Sequence, residues 1–106
     1  MVEEEGYMKG YVYSLVHKKS KRRYVGSTIN LRRRTLEHFS SLTRGRWGDS
    51  ILQALWDKEG RDGFRVDILW EGIVDTISTL RQIECRFLRK TAHEFNPPRK
   101  KKENKM

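Results

Sequence analysis

The stretch GYVYSLVHKKSKRRYVG, residues 10–26, predicts a β-hairpin that opens the fold. Residues 10–16 are rich in aromatic and β-branched side chains, which favour strands. A strand period of two residues places Tyr11, Tyr13 and Leu15 on one face. Residues 17–21 are polar and predict a turn, and residues 22–26 predict a second short strand. We therefore expect the two strands to pair.

The sequence after the hairpin predicts helices and one further strand. Residues 31–42 predict a helix capped by Asn30, with Arg34 and His38 one turn apart beside its apolar edge. Residues 51–59 predict a second helix, and residues 76–91 predict a third with Asp75 as its N-cap. Residues 64–70 alternate as a half-buried strand does. The predicted inward face of that strand consists of Phe64, Val66, Ile68 and Trp70.

The predicted elements follow the order β-β-α-α-β-α. This order indicates an α+β fold, within the broad α/β class, in which a small three-stranded antiparallel sheet is flanked by helices. We expect one folded domain over residues 10–98. Residues 1–9 form an acidic leader and residues 99–106 a basic tail, and both are expected to be flexible because they lack apolar content.

One carboxylate stands out in the third predicted helix. At about 100° per residue, Glu84 falls within the apolar stripe, next to Leu80, Ile83 and Phe87. A glutamate is rarely buried without a partner, because removing water from a carboxylate is costly. We therefore expect an arginine, a metal ion or the rim of a polar cleft to face Glu84. An ion pair that merely positions the helix is the structural alternative.

Charge and composition limit the class of protein. The chain has 106 residues, and its 23 Lys and Arg outnumber 14 Asp and Glu, which gives a net charge of +9 and favours nucleic acid as the partner. No run of apolar residues is long enough to span a membrane, and no basic amphipathic helix indicates membrane binding. The single cysteine, Cys85, excludes an internal disulfide, and an intracellular location is expected.

With these residues in order along the chain, the sequence resembles the GIY-YIG nuclease family. Tyr11-Val12-Tyr13 matches the first family signature, although Tyr11 replaces its glycine and Gly10 precedes it. Tyr24-Val25-Gly26 matches the second signature. The family's helix arginine, the residue one turn later, the metal-binding glutamate and the late asparagine fall in that order on Arg34, His38, Glu84 and Asn96.

The resemblance implies metal-dependent hydrolysis of a phosphodiester bond in DNA, most simply double-stranded DNA. Glu84 would bind Mg²⁺ (or Mn²⁺), a cation that needs only one or two carboxylates. Arg34 would hold a phosphate oxygen, and Tyr13 would help to activate the attacking water. Tyr24 would share the water network, and His38 would be a rival base or a hydrogen-bond partner of a tyrosine.

Basic residues outside the site are expected to contact phosphates without reading the sequence. These are Lys19, Lys21, Arg22, Arg23, Arg33, Arg44 and Arg46. A chain this short has no separate recognition domain, so we expect weak sequence preference unless the chain dimerises or was excised from something longer. A monomer is the favoured oligomeric state. Two other interpretations stay open: a binding module of the same fold that has lost cleavage, and a basic ribosome-associated or protein-interaction domain without a site.

Overall fold

A computed structural model describes residues 7–48 and 50–90. Strands β1 (Met8–His17) and β2 (Arg23–Thr28) form the hairpin, and helices α1 (Leu31–Thr43) and α2 (Ser50–Glu59) follow. A short 3₁₀ turn, Arg61–Gly63, leads into β3 (Phe64–Val74), and α3 (Ile77–Lys90) comes after it. The three strands form one antiparallel sheet in the order β2-β1-β3. The predicted fold class and element order are confirmed.

The central position of β1 explains why its burial shows no simple alternation. Every residue from Val12 to His17 is buried. Leu15 belongs to one apolar cluster with Leu42 of α1 and Leu52 of α2, whereas Val12 belongs to a second cluster with Leu80 of α3. Side chains an odd number of residues apart point to opposite faces of a strand. Helices α1 and α2 therefore cover one face of the sheet and α3 covers the other.

A β-bulge changes the predicted inward face of β3. Val12 pairs with Trp70, but the next residue, Tyr13, pairs with Ile68, so Leu69 is an extra residue in β3. The alternation shifts by one position at this point. Ile68, which was predicted to face the core, is 50% exposed, and Leu69 packs against the α3 cluster instead. Phe64 and Val66, before the bulge, lie on the α1–α2 side as predicted.

The start of α3 differs from the prediction by one residue. The Thr79 N–H donates to Oγ1 of Thr76 over 3.0 Å, so Thr76, not Asp75, is the N-cap. Asp75 accepts a hydrogen bond from the Thr79 hydroxyl instead. Threonine and aspartate both suit an N-cap, which is why the sequence alone does not separate two adjacent candidates.

The hairpin turn is anchored by a buried histidine. His17 lies at the end of β1, where Nε2 is 3.1 Å from Oε1 of Glu59 and Nδ1 is 2.7 Å from Oγ of Ser20. The Ser20 N–H donates to Nδ1, and Nε2 donates to the carboxylate of Glu59. His17 therefore ties the hairpin to the end of α2.

Candidate active site

A buried hydrogen bond joins β1 to α1 at the centre of the site. The hydroxyl of Tyr13 lies 2.5 Å from Nε2 of His38. Tyr13 is 1% exposed and His38 is 5% exposed. The side chain of His38 turns inward because residues 38 and 42 lie one turn apart on α1, and Leu42 is fully buried. His38 is therefore more deeply buried than the predicted position beside the apolar edge.

Burial fixes the protonation state of this pair. Removal of water and, to a smaller extent, the positive charge of Arg34 lower the pKa of His38 to about 4, and the negative charge of Glu37 opposes the shift only in part. Burial also raises the pKa of Tyr13, and the nearby Tyr24 adds to that shift, while Arg34 opposes it only in part. At neutral pH the pair therefore consists of a neutral phenol and a neutral imidazole, which one hydrogen bond joins.

Tyr24 and Trp47 form an aromatic wall against the same histidine. The ring centroids of Tyr24 and His38 are 5.4 Å apart, and those of His38 and Trp47 are 4.9 Å apart. Both contacts are edge-to-face, the geometry that aromatic rings prefer. Trp47 also meets Tyr24 edge-to-face at 5.2 Å. Burial raises the pKa of Tyr24 as well, with Arg34 acting in the opposite direction.

A cavity of about 250 Å³ lies in front of this wall. Its rim carries two guanidinium groups, those of Arg34 and Arg46, and one carboxylate, that of Glu37. The remaining lining consists of Tyr24, His38, Ser41, Trp47 and Gly48. Aromatic walls with a cationic rim suit a nucleotide, because a base can stack and a phosphate can pair with arginine.

Arg34 is held by an acidic neighbour on its own helix. One terminal nitrogen of Arg34 donates to Oε1 of Glu37 over 3.0 Å, and Nε of Arg33 lies 3.8 Å from the other oxygen of Glu37. The hydrogen bond to Glu37 is the largest of several influences that raise the pKa of Arg34. Because the Arg34 side chain is 45% exposed, its guanidinium is accessible to an incoming anion. Glu37 engages one terminal nitrogen of Arg34, so an incoming anion would compete with it for that donor.

Glu84 reaches the site from the opposite face of the sheet. It is half-buried on α3, and its Oε1 accepts a hydrogen bond of 2.5 Å from the hydroxyl of Ser27 on β2. The negative charge of Glu84 is one of the smaller influences that raise the pKa of both Tyr13 and Tyr24, so the carboxylate is within electrostatic range of the two tyrosines. These groups meet at β2, which is an edge strand of the sheet.

No cation neutralises Glu84 within residues 7–48 and 50–90. The ion pairs of these residues do not include it, and Ser27 is its one hydrogen-bond donor there. The structural alternative, a buried ion pair, is therefore not present among these residues. In the described part of the chain no three His, Cys, Asp or Glu side chains come together as a metal cluster. A single carboxylate with one oxygen available fits Mg²⁺ or Mn²⁺, which keep several waters.

The predicted phosphate-binding residues lie in two groups. Arg33, Arg44 and Arg46 surround α1 and the cavity, and all three are exposed. Lys19, Lys21 and Arg22 are exposed at the hairpin turn, where Nζ of Lys19 lies 3.8 Å from Glu59. Arg23 differs from the others because it is half-buried and donates to the hydroxyl of the buried Ser14. Part of its hydrogen-bonding capacity therefore stabilises the hairpin.

The structure brings Tyr13, Tyr24, Arg34, His38 and Glu84 together, while Asn96 lies outside the described residues. Two groups at the site were not predicted. In the sequence, Glu37 has the pattern of a solvent-exposed charge on a helix that also carries Arg33 and Arg34. Its ion pair with Arg34 was therefore not predicted. Ser27 follows Gly26 on β2, and its side chain faces α3. Strand periodicity predicts this orientation once the strand pairing is known.

Comparison with known proteins supports the resemblance found in the sequence. The family model for the GIY-YIG catalytic domain matches residues 9–96. No curated protein sequence matches the chain. Among solved structures, the catalytic domain of homing endonuclease I-TevI is similar at a TM-score of 0.67 and 22% identity, covering 76% of this chain and 86% of that one. A mutant of the catalytic domain of intron endonuclease I-TevI gives a TM-score of 0.68 and 24% identity over 78% and 84%. No helix in the described part of the chain has the length and apolar character that crossing a membrane requires.

Proposed function

The chain belongs to the GIY-YIG nuclease family, and from this premise we propose that it is an endonuclease that hydrolyses phosphodiester bonds in double-stranded DNA with the help of a divalent cation. The observation that carries the proposal is that Glu84 is a half-buried carboxylate without a cationic partner among the described residues, within electrostatic range of the buried Tyr13 and the half-buried Tyr24. A half-buried carboxylate without a cationic partner lowers the stability of the fold, because water is removed from its charge. Packing alone therefore does not account for a glutamate at this position.

Tyr13 and His38 are proposed to move the proton of the attacking water together. Burial raises the pKa of Tyr13, and the positive charge of Arg34 offsets this shift only in part. Tyr13 therefore keeps its proton at neutral pH, so we do not propose it as a base that acts alone. Instead, the Tyr13 oxygen takes the proton of the water while its own proton passes to Nε2 of His38, 2.5 Å away. The oxygen of the water forms the new bond to phosphorus, and the bond to the leaving 3′ oxygen breaks.

The remaining groups hold the substrate and balance its charge. Arg34 binds a non-bridging phosphate oxygen through its fork of N–H donors, and Glu37 competes for one of those donors. Tyr24 orients the water from the aromatic wall. Glu84 would hold the divalent cation, which would supply positive charge to balance the negative charge that develops on the phosphate and on the leaving oxygen. The exposed basic residues around α1 and the hairpin attract the DNA backbone.

Nicking of supercoiled plasmid tests the proposal. The wild-type protein is assayed with Mg²⁺ and with EDTA, beside Glu84→Gln, which keeps the shape of the side chain and removes its charge. Glu71→Gln is the control, since it makes the same change at an exposed carboxylate that pairs with Lys9 on the sheet. Cleavage by the wild type and Glu71→Gln in Mg²⁺, without cleavage by Glu84→Gln, supports the proposal.

Two results would contradict it. Equal cleavage by Glu84→Gln and the wild type would remove Glu84 from the chemistry. Failure of the wild type to cut duplex, nicked and branched DNA in Mg²⁺ and Mn²⁺, while it still shifts DNA in a low-salt gel, would favour the binding module instead.

A further inference from the structure

Ser27 connects the two faces of the sheet at the point where the site is assembled. In β2, Tyr24 and Gly26 face the α1–α2 side, where Tyr13 and His38 lie, and Ser27 is the next residue. Strand alternation turns its side chain to the α3 side. There its hydroxyl donates to Oε1 of Glu84. Among the described residues this is the one hydrogen bond made by the Glu84 side chain.

We propose that Ser27 is a positioning residue for Glu84, and this inference rests on the proposed function. The Ser27 hydroxyl holds one carboxylate oxygen, so the carboxylate has a fixed rotamer and offers its second oxygen, Oε2, to a divalent cation. The strand supplies rigidity, because Ser27 pairs with Val12 of the central strand, which is completely buried. Residues that orient a metal ligand in this way commonly affect metal affinity by about 10- to 100-fold.

A purely structural role for Ser27 makes a different prediction. The hydrogen bond also joins α3 to the sheet, so its loss lowers stability whether or not a cation is involved. Orientation of the carboxylate, in contrast, affects metal affinity in protein that remains folded. Mn²⁺ affinity in the absence of DNA separates these roles, because it depends on neither catalysis nor substrate binding.

The experiment is a titration of the complete chain with Mn²⁺, followed by paramagnetic broadening of amide NMR signals near residues 27 and 84. The wild type is compared with Ser27→Ala, Ser27→Thr and Glu84→Gln. Ser78→Ala is the matched control, because Ser78 is exposed on the same helix as Glu84. If Ser27→Ala folds poorly, Ser27→Cys keeps a similar volume and replaces the hydroxyl with a weak donor.

We expect Ser27→Ala to weaken Mn²⁺ binding about 10-fold and Ser27→Thr to restore it, with Ser78→Ala unchanged. The role of the hydroxyl is tested on the condition that Glu84→Gln abolishes Mn²⁺ binding. Wild-type Mn²⁺ affinity in folded Ser27→Ala or Ser27→Cys would then overturn that role. A loss in Ser27→Thr as large as that in Ser27→Ala would overturn it as well. Undiminished binding by Glu84→Gln would instead overturn the metal site of the proposed function.

Discussion

Tyr13 lies directly over Gly26, its partner across the β1–β2 pair, so closely that a Cβ atom at residue 26 would be 2.7 Å from the tyrosine hydroxyl. The same Cβ would lie 2.9 Å from Cζ of Tyr13, and no flexible chain end is available to move aside. Because residue 26 has no side chain, the Tyr13 ring can lie over β2 while its hydroxyl contacts His38.

Gly26→Ala is therefore expected to displace the Tyr13 ring and break its hydrogen bond with His38. We expect cleavage to fall by at least about 100-fold and the free energy of unfolding to fall by about 1–3 kcal/mol, measured by plasmid nicking and urea denaturation. Gly72→Ala is the control, because a Cβ there would lie 2.7 Å from the Trp70 ring, a similar clash at a residue of β3 that does not line the cavity; it should lose stability and keep cleavage. Wild-type cleavage by Gly26→Ala would show that the close contact is not needed.

Tyr13→Phe tests the hydroxyl while the ring keeps its place over Gly26. Loss of the relay is expected to reduce single-turnover cleavage by about 100-fold or more. The unpaired Nε2 of His38 costs about 1–3 kcal/mol of stability. Tyr11→Phe, which removes a hydroxyl from a half-buried residue of the same strand, should leave cleavage unchanged. Equal rates for the two variants would argue against the relay.

The buried His38 predicts how stability depends on pH. Its pKa is about 4 in the folded protein and 6.5 in the unfolded chain, so the unfolded chain binds more protons between these values. Stability should therefore rise from pH 4 to pH 6.5, by about 2 kcal/mol from this group, and level off above. Urea denaturation of the wild type and His38→Phe across this range measures the difference. A slope in His38→Phe as steep as that of the wild type would contradict the assignment.

Glu37 is expected to compete with DNA phosphate for Arg34. Glu37→Gln keeps the size of the side chain and removes the charge from a pair whose partners are 45% and 51% exposed, so the gain is modest. We expect the Kd for duplex DNA to fall by about two- to threefold. Glu71→Gln changes the net charge equally at a residue of β3, away from Arg34, and serves as the control. An identical gain in both variants would indicate a general effect of net charge.

The sequence predicts most of the fold because its elements carry regular patterns. The strand period marks the hairpin, and the caps and apolar stripes mark the helices to within a few residues. The bulge at Leu69 has no such signature, because it depends on how β3 pairs with β1, and Ile68 was assigned to the wrong face for that reason. Choosing between Asp75 and Thr76 as the cap likewise required the backbone geometry.

Residues of the candidate site could be predicted in two cases. Either a polar residue falls among apolar ones, or the residue occupies a position in the order of the GIY-YIG family motifs. Glu84 on an apolar stripe is the first case, and Tyr13, Tyr24, Arg34 and His38 follow the order. The role of His38 needed the structure, since its burial and its contact with Tyr13 join residues 25 positions apart. Ser27 and Glu84 are separated by 57 positions, and a serine in a strand raises no expectation of a partner.

In the proposed mechanism, the division of these groups between two layers would make catalysis depend on how firmly α3 packs against the sheet. Tyr13 and His38 are held by β1 and α1, whereas Glu84 is carried by α3, whose contacts with the sheet are mostly half-buried side chains around Leu80. A brief lifting of α3 would withdraw the carboxylate and leave the tyrosine–histidine pair intact. Under the proposed function, local opening of α3 would therefore lower the fraction of molecules that are competent to cut.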